Sequence, residues 1–192
     1  MSYTFKPETW KLGELYVNPK GAKSVSILCG GETPTFRFGT PETPVYSPYG
    51  AGSWDENTRL SIDFTLPPDL QDFCVKLDNW AKKTLYENSE KLFNKKLSKE
   101  ALELMYQSII KKHSKGTATY SDTVRCKFNT TGPRKLRCWD ENHKEIELPD
   151  FKYSNVVPLV HIKGFWISNN STGLTLEISD MLCLQAEKKC PF

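Results

Sequence analysis

The sequence contains little that an enzyme would need. Across 192 residues there is no Gly-x-Ser-x-Gly elbow, no phosphate-cradling glycine loop, no His-Glu-x-x-His and no dinucleotide fingerprint. Gly30-Gly31 and Gly50-Ala51-Gly52 stand isolated and suit turns. His161 lies between Val160 and Ile162 on an apolar run, where a structural ring is expected rather than a base. Asp140, Glu141 and Glu145 cluster in a turn-like stretch that solvation explains without a metal. None of the six cysteines forms a Cys-x-x-Cys pair, and no histidine stands at finger spacing from one, which argues against structural zinc. No catalytic residue, cofactor or metal is therefore assigned, and the expectation is a protein that is not an enzyme.

Other absences narrow the class. No apolar run approaches membrane-spanning length, and the opening Met1-Ser2-Tyr3-Thr4-Phe5-Lys6 has no signal-like apolar core. The expectation is an intracellular protein without a membrane partner, with its cysteines kept as free thiols. Net charge is only +3, so no strong whole-chain field draws in polyanions. Any affinity for nucleic acid must come from local placement of charge. No internal repeat or linker divides the chain, so residues 1–192 read as one domain.

What the chain does have is aromatic residues, 12% of the total, and short alternating runs. Ser24–Cys29, Thr35–Phe38 and Arg59–Leu66 read as strands. Residues 40–57, rich in Pro, Gly, Tyr and Trp, read as a loop. Pro67-Pro68 then breaks the pattern, Asp69 is placed to cap, and apolar residues recur at helical spacing from Leu70 to Leu85. Ser98 is a second cap, opening a helix expected to run to about Lys115. The helical insertion thus spans about 69–115. Strands return over roughly 120–130, 134–140, 144–148, 157–167 and 173–185, and a short tail covers 186–192. Strands, a helical excursion and further strands make a mainly β fold with a helical insertion.

Two of these runs concentrate the chemistry. Val124-Arg125-Cys126-Lys127-Phe128 and Lys135-Leu136-Arg137-Cys138-Trp139 are joined by the turn-like 129–133. Successive strand residues point to opposite faces, so Arg125 and Lys127 oppose Val124, Cys126 and Phe128. Likewise Lys135, Arg137 and Trp139 oppose Leu136 and Cys138. A sheet that is apolar behind and cationic with rings in front suits a phosphate backbone whose unpaired bases stack on it; an ordinary solvated strand face carries the same pattern. The phosphate-contact candidates are Arg125, Lys127, Arg134, Lys135 and Arg137. The stacking candidates are Trp139 with the loop residues Tyr49 and Trp54; Tyr46, Phe151 and Tyr153 are further rings available for that role. A β-rich structural or protein-interaction module, such as a virion or scaffold component, and an RNA-binding barrel are the alternatives.

The closing segment carries a resemblance. Pro158, Gly164-Phe165-Trp166 and Gly173-Leu174-Thr175-Leu176 resemble the final strands of single-stranded DNA-binding proteins of the podovirus replication type, whose relatives occur in large nucleocytoplasmic viruses of algae. The resemblance is specific over about thirty residues (158–176 and its flanks) and topological elsewhere. It implies a five-stranded OB barrel with an inserted helix, here with additional strands. It further implies sequence-tolerant coating of single-stranded DNA in replication, recombination or repair, with replication proteins as partners and self-association allowed. For a viral protein the location would be the host nucleus or a viral replication site. Phage members of that family end in a long acidic tail capped by an aromatic residue. This chain ends Ala186-Glu187-Lys188-Lys189-Cys190-Pro191-Phe192; the terminal ring fits and the acidic run is missing, so the resemblance implies barrel-mediated binding and leaves tail-mediated recruitment open.

Overall fold

Ile62 and Phe64 in one alternating run, and Val124, Cys126 and Phe128 in another, are at most 1% exposed. Each such large side chain contributes about 1.5–3 kcal/mol on burial. The computed structural model describes residues 3, 5–19, 21–52, 59–115 and 118–184, without the side chains of 114–120. Six strands precede the helices: β1 (Trp10–Val17), β2 (Lys23–Cys29), β3 (Thr35–Arg37), β4 (Val45–Ser47), β5 (Ala51–Gly52) and β6 (Arg59–Thr65). The excursion holds α1 (Pro68–Glu87), α2 (Ser89–Phe93) and α3 (Lys99–Met105). Then come β7 (Tyr106–Gln107), β8 (Ile110–Lys115), β9 (Ala118–Asn129), β10 (Arg137–Trp139), β11 (Glu145–Ile146), β12 (Ser154–Ile167) and β13 (Thr172–Leu184).

The main path through the mixed sheet is β1-β2-β12-β13-β9-β6-β5. Its neighbours are antiparallel except β9 and β13, which meet in parallel at Lys127 and Glu177. β4 pairs with the start of β12, and Tyr46 N–H in β4 donates to Thr65 Oγ1 in β6 at 3.2 Å. The path β6-β9-β13-β12 therefore closes through β4 into a five-stranded OB-like barrel, with the other strands as additions. The fold is mainly β with a helical insertion, as the element order leads one to expect.

α1 starts with Pro68 at its first position, where a missing N–H costs nothing. Asp69 lies inside the first turn rather than at the cap. Leu70, Phe73, Leu77, Ala81 and Leu85 form its buried stripe. Between that stripe and the sheet lies a ring cluster: Phe36 and Phe73 have centroids 4.7 Å apart, Trp10 and Trp80 4.9 Å, and Trp80 stacks on Phe165 at 5.9 Å. Much of the aromatic content is thus structural.

Four expectations need correction. Ser98 does cap α3, its Oγ accepting from Ala101 N–H at 3.1 Å, but the helix stops at Met105 and 110–115 is strand. The cause is Asp78 on α1, whose buried carboxylate accepts from Tyr106 Oη at 2.6 Å, from Ser108 Oγ and from Ile109 N–H, drawing the chain out of the helix. β1 precedes the first strand read from the sequence, and its register shift between Leu12 and Leu15 changes the side-chain phase and masks the alternation. The 40–57 loop contains β4 and β5. β10 is shorter than the expected 134–140, and it pairs with β11 and β13 rather than with β9. At Gly164 the backbone has φ +145°, and a Cβ there would lie 2.0 Å from Val25 O in β2, so this close approach admits only glycine.

Candidate nucleic-acid interface

The outer face is organised by register. Ser61 in β6 pairs with Lys127 in β9, Lys127 with Glu177 in β13, Glu177 with His161 in β12, and His161 with Thr35 in β3. One row of outward positions therefore crosses five strands. At one end is a recess of about 390 Å³ lined by Tyr49, Gly50–Gly52, Ser61, Asp63, His113 and Arg125. At the other is a groove of about 560 Å³ between the Gly132–Lys135 turn and the faces of β12 and β13. Arg134, Lys135, Arg137, His161, Lys163 and Glu177 are among its lining residues. In that row Lys127 stands between Ser61 of the recess and Glu177 of the groove.

Several cations on this face are already paired. Arg125 donates to Asp63 through Nε at 2.7 Å and Nη2 at 2.8 Å, which holds its guanidinium charged more firmly than usual. Arg59 Nη2 lies 3.0 Å from Glu177 Oε2. Arg137 Nη2 lies 2.7 Å from Asp180 Oδ1, and Trp139 Nε1 donates to the same oxygen at 3.1 Å. Burial works to raise the Asp180 pKa, but hydrogen bonds from Arg137, Ser179 and Trp139 hold it below the ordinary carboxylate range. By contrast Lys127, Arg134, Lys135 and Lys163 have no carboxylate partner among the described residues. Partial burial and the nearby Arg59 guanidinium lower the Lys127 pKa.

His161 is held from both sides, with Nδ1 2.9 Å from Thr35 Oγ1 and Nε2 2.8 Å from Ser179 Oγ. Burial and then Lys163 lower its pKa. Ser179 Oγ in turn donates to Asp180 Oδ2 at 2.8 Å. A continuous polar chain thus runs from Thr35 to Trp139 beneath the groove.

The structure brings Lys127, Arg134, Lys135 and Arg137 together along this face and sets Tyr49 and Arg125 at the recess. Tyr49 is 54% exposed, with its ring 5.7 Å from that of His113. Trp139 is half-buried and carries the Arg137 guanidinium over its ring at 5.6 Å. Trp54 falls outside the described residues. Phe151 is 1% exposed and packs edge-on against Phe128; it belongs to the core and is no base platform. Tyr46 and Tyr153 are exposed. Lys163 and Arg59 were not singled out from the sequence, although the outward phase of their strands marks both.

Cys126 and Cys138 are buried as alternation requires. Cys138 hydrogen-bonds to Cys183, which raises the pKa of the first thiol and lowers that of the second. Among the described residues no cluster of three or more His, Cys, Asp or Glu could hold a metal ion, and no helix is long and apolar enough to cross a membrane.

No protein-family model matches the sequence, and no curated protein matches it significantly. Solved structures do. The single-stranded DNA-binding protein gp2.5 of bacteriophage T7 aligns with a TM-score of 0.54 at 14% identity, over 84% of this chain and 91% of that one. The C-terminally truncated single-stranded DNA-binding protein of bacteriophage Enc34 aligns with a TM-score of 0.48 at 11% identity, over 95% and 99% of the chains. The Enc34 protein in complex with single-stranded DNA aligns with a TM-score of 0.49 at 12% identity, over 86% and 92%. At such identities the gp2.5 likeness is one of fold.

Proposed function

We propose that this protein coats single-stranded DNA with broad sequence tolerance and performs no catalysis. The observation that carries the reading is the row of outward positions across the barrel, with Tyr49 in the recess at one end, Arg134, Lys135 and Lys163 in the groove at the other and Lys127 between them, four cations without a carboxylate partner among the described residues. Lysine and arginine beside exposed rings are what a flexible phosphate backbone with unstacked bases requires. The fold likeness to gp2.5, itself a single-stranded DNA-binding protein, supports the same reading. On this reading the protein acts in DNA replication, recombination or repair of a virus, in the manner of the podovirus-type proteins and their relatives in algal viruses. It works inside the infected cell, at the nucleus or a viral replication site, beside replication proteins and with self-association allowed.

Fluorescence anisotropy with labelled oligonucleotides tests the core of the proposal. Single strands should bind far more tightly than the same sequence as duplex, and affinity should fall steeply as salt rises. Equal affinity for both forms, or none below tens of micromolar, would defeat it.

A further inference from the structure

The recess at the Tyr49 end is built for something other than a phosphate. The Asp63 side chain there is 9% exposed and takes both Nε and Nη2 of Arg125. The pair is neutral overall, so it offers a phosphate little net attraction. A guanidinium nevertheless has five N–H donors in one plane. With the Nε–Nη2 edge engaged by the carboxylate, the end edge keeps a hydrogen on each Nη, two parallel donors in a fixed plane. The Arg125 side chain is 39% exposed and lines the recess together with Tyr49, His113 and Gly50–Gly52. A volume of about 390 Å³ falls at the small end of ligand sites, roughly 300–1,000 Å³.

We propose that this recess receives one base of the bound strand, and that Arg125, oriented by Asp63, reads a base edge with two adjacent acceptors. Guanine has such a pair in O6 and N7, and cytosine in O2 and N3. Adenine and thymine alternate donors with acceptors and satisfy only one of the two N–H groups. The exposed Tyr49 ring lies beside the base, and Gly50, Ala51 and Gly52 leave that wall free of bulky side chains. The inference rests on the single-strand binding proposed above and adds one biased position to an otherwise tolerant surface.

Competition binding with oligothymidine hosts carrying one central dG, dC, dA or 7-deaza-dG tests it. The dG and dC hosts should compete better than the dA and unsubstituted hosts, by a factor on the order of five. The 7-deaza-dG host, lacking the N7 acceptor, should fall to the unsubstituted level. Arg125→Lys keeps a charge for Asp63 but loses the planar fork, so the ratio of dG to unsubstituted affinity should drop to one. Equal affinities in the unaltered protein, or a ratio that survives Arg125→Lys, would overturn the inference and leave single-strand binding standing. Failure to bind any of the oligonucleotides would remove the underlying reading and this inference with it.

Discussion

Trp139 is tied to Asp180: its indole N–H donates to Oδ1 at 3.1 Å, on the same oxygen that Arg137 approaches at 2.7 Å. One carboxylate therefore fixes both the ring and the guanidinium at the groove edge. Asp180→Asn should release the Arg137 charge, tighten single-strand binding at low salt, and steepen the salt dependence by about one unit. An unchanged slope would mean that Arg137 does not meet phosphate. Trp139→Ala should weaken binding by about 1–3 kcal/mol if its free face stacks a base, with the slope preserved.

The same carboxylate gives a pH signature. Its folded pKa lies below the ordinary value, so the folded state binds its proton less readily than the unfolded chain. Its contribution to stability is present above the unfolded pKa of about 3.9 and is lost as pH falls through the depressed folded value. Acid unfolding of Asp180→Asn, followed by tryptophan fluorescence, should show a shallower loss of stability below about pH 4 than the parent.

Lys127 and Arg125 are two positions apart on one strand face, yet their alanine variants should differ. Lys127 has no carboxylate partner among the described residues, so Lys127→Ala should lower the salt slope by about one unit and weaken all sequences alike. Arg125→Ala removes a charge already balanced by Asp63 and should lower the slope by less. Anisotropy titrations at several salt concentrations separate the two.

The thiols should differ in reactivity. Burial raises the pKa of Cys74 and Cys126, whereas the bond from Cys138 lowers that of the part-exposed Cys183. Timed alkylation of the folded protein with peptide mapping should find Cys183 modified well before Cys74 and Cys126. After denaturation without reductant, all six thiols should titrate; two missing thiols recovered by reduction would reveal a disulfide.

Asp78 supports the junction between helices and barrel. Asp78→Ala would leave the Tyr106 hydroxyl buried without its acceptor and should cost about 2–3 kcal/mol in chemical denaturation. A loss under about 0.5 kcal/mol, the range of an ordinary surface substitution, would show that the junction holds without it.

These pairings also mark where the sequence stops being readable. α1, β2 and β6 were legible because one period persists through most of each, and β12 and β13 because they are long enough to keep recognisable alternating stretches, such as Leu174-Leu176-Ile178, despite two register shifts between them. The end of α3 was not, since it depends on a carboxylate 28 positions upstream of Tyr106. Alternation put Arg125 on the outer face but could not reveal Asp63, 62 positions away, because strand order and register decide which outward residues meet. β1 was hidden by its bulge, and the ring cluster by the ambiguity of aromatic residues, which serve cores and platforms equally well.

Gly164-Phe165-Trp166 drew attention in the sequence as a signature of DNA binders. In the structure Gly164 is dictated by the close antiparallel pairing of β12 with β2 at Val25 and Ser26, and Phe165 is buried against Trp80. Gly164 and Phe165 are therefore architectural markers, blind to cargo. What they record is that two neighbouring strands pair at bare-backbone distance and that a helix packs on the ring beside them, demands of the barrel that hold whatever lies in the groove.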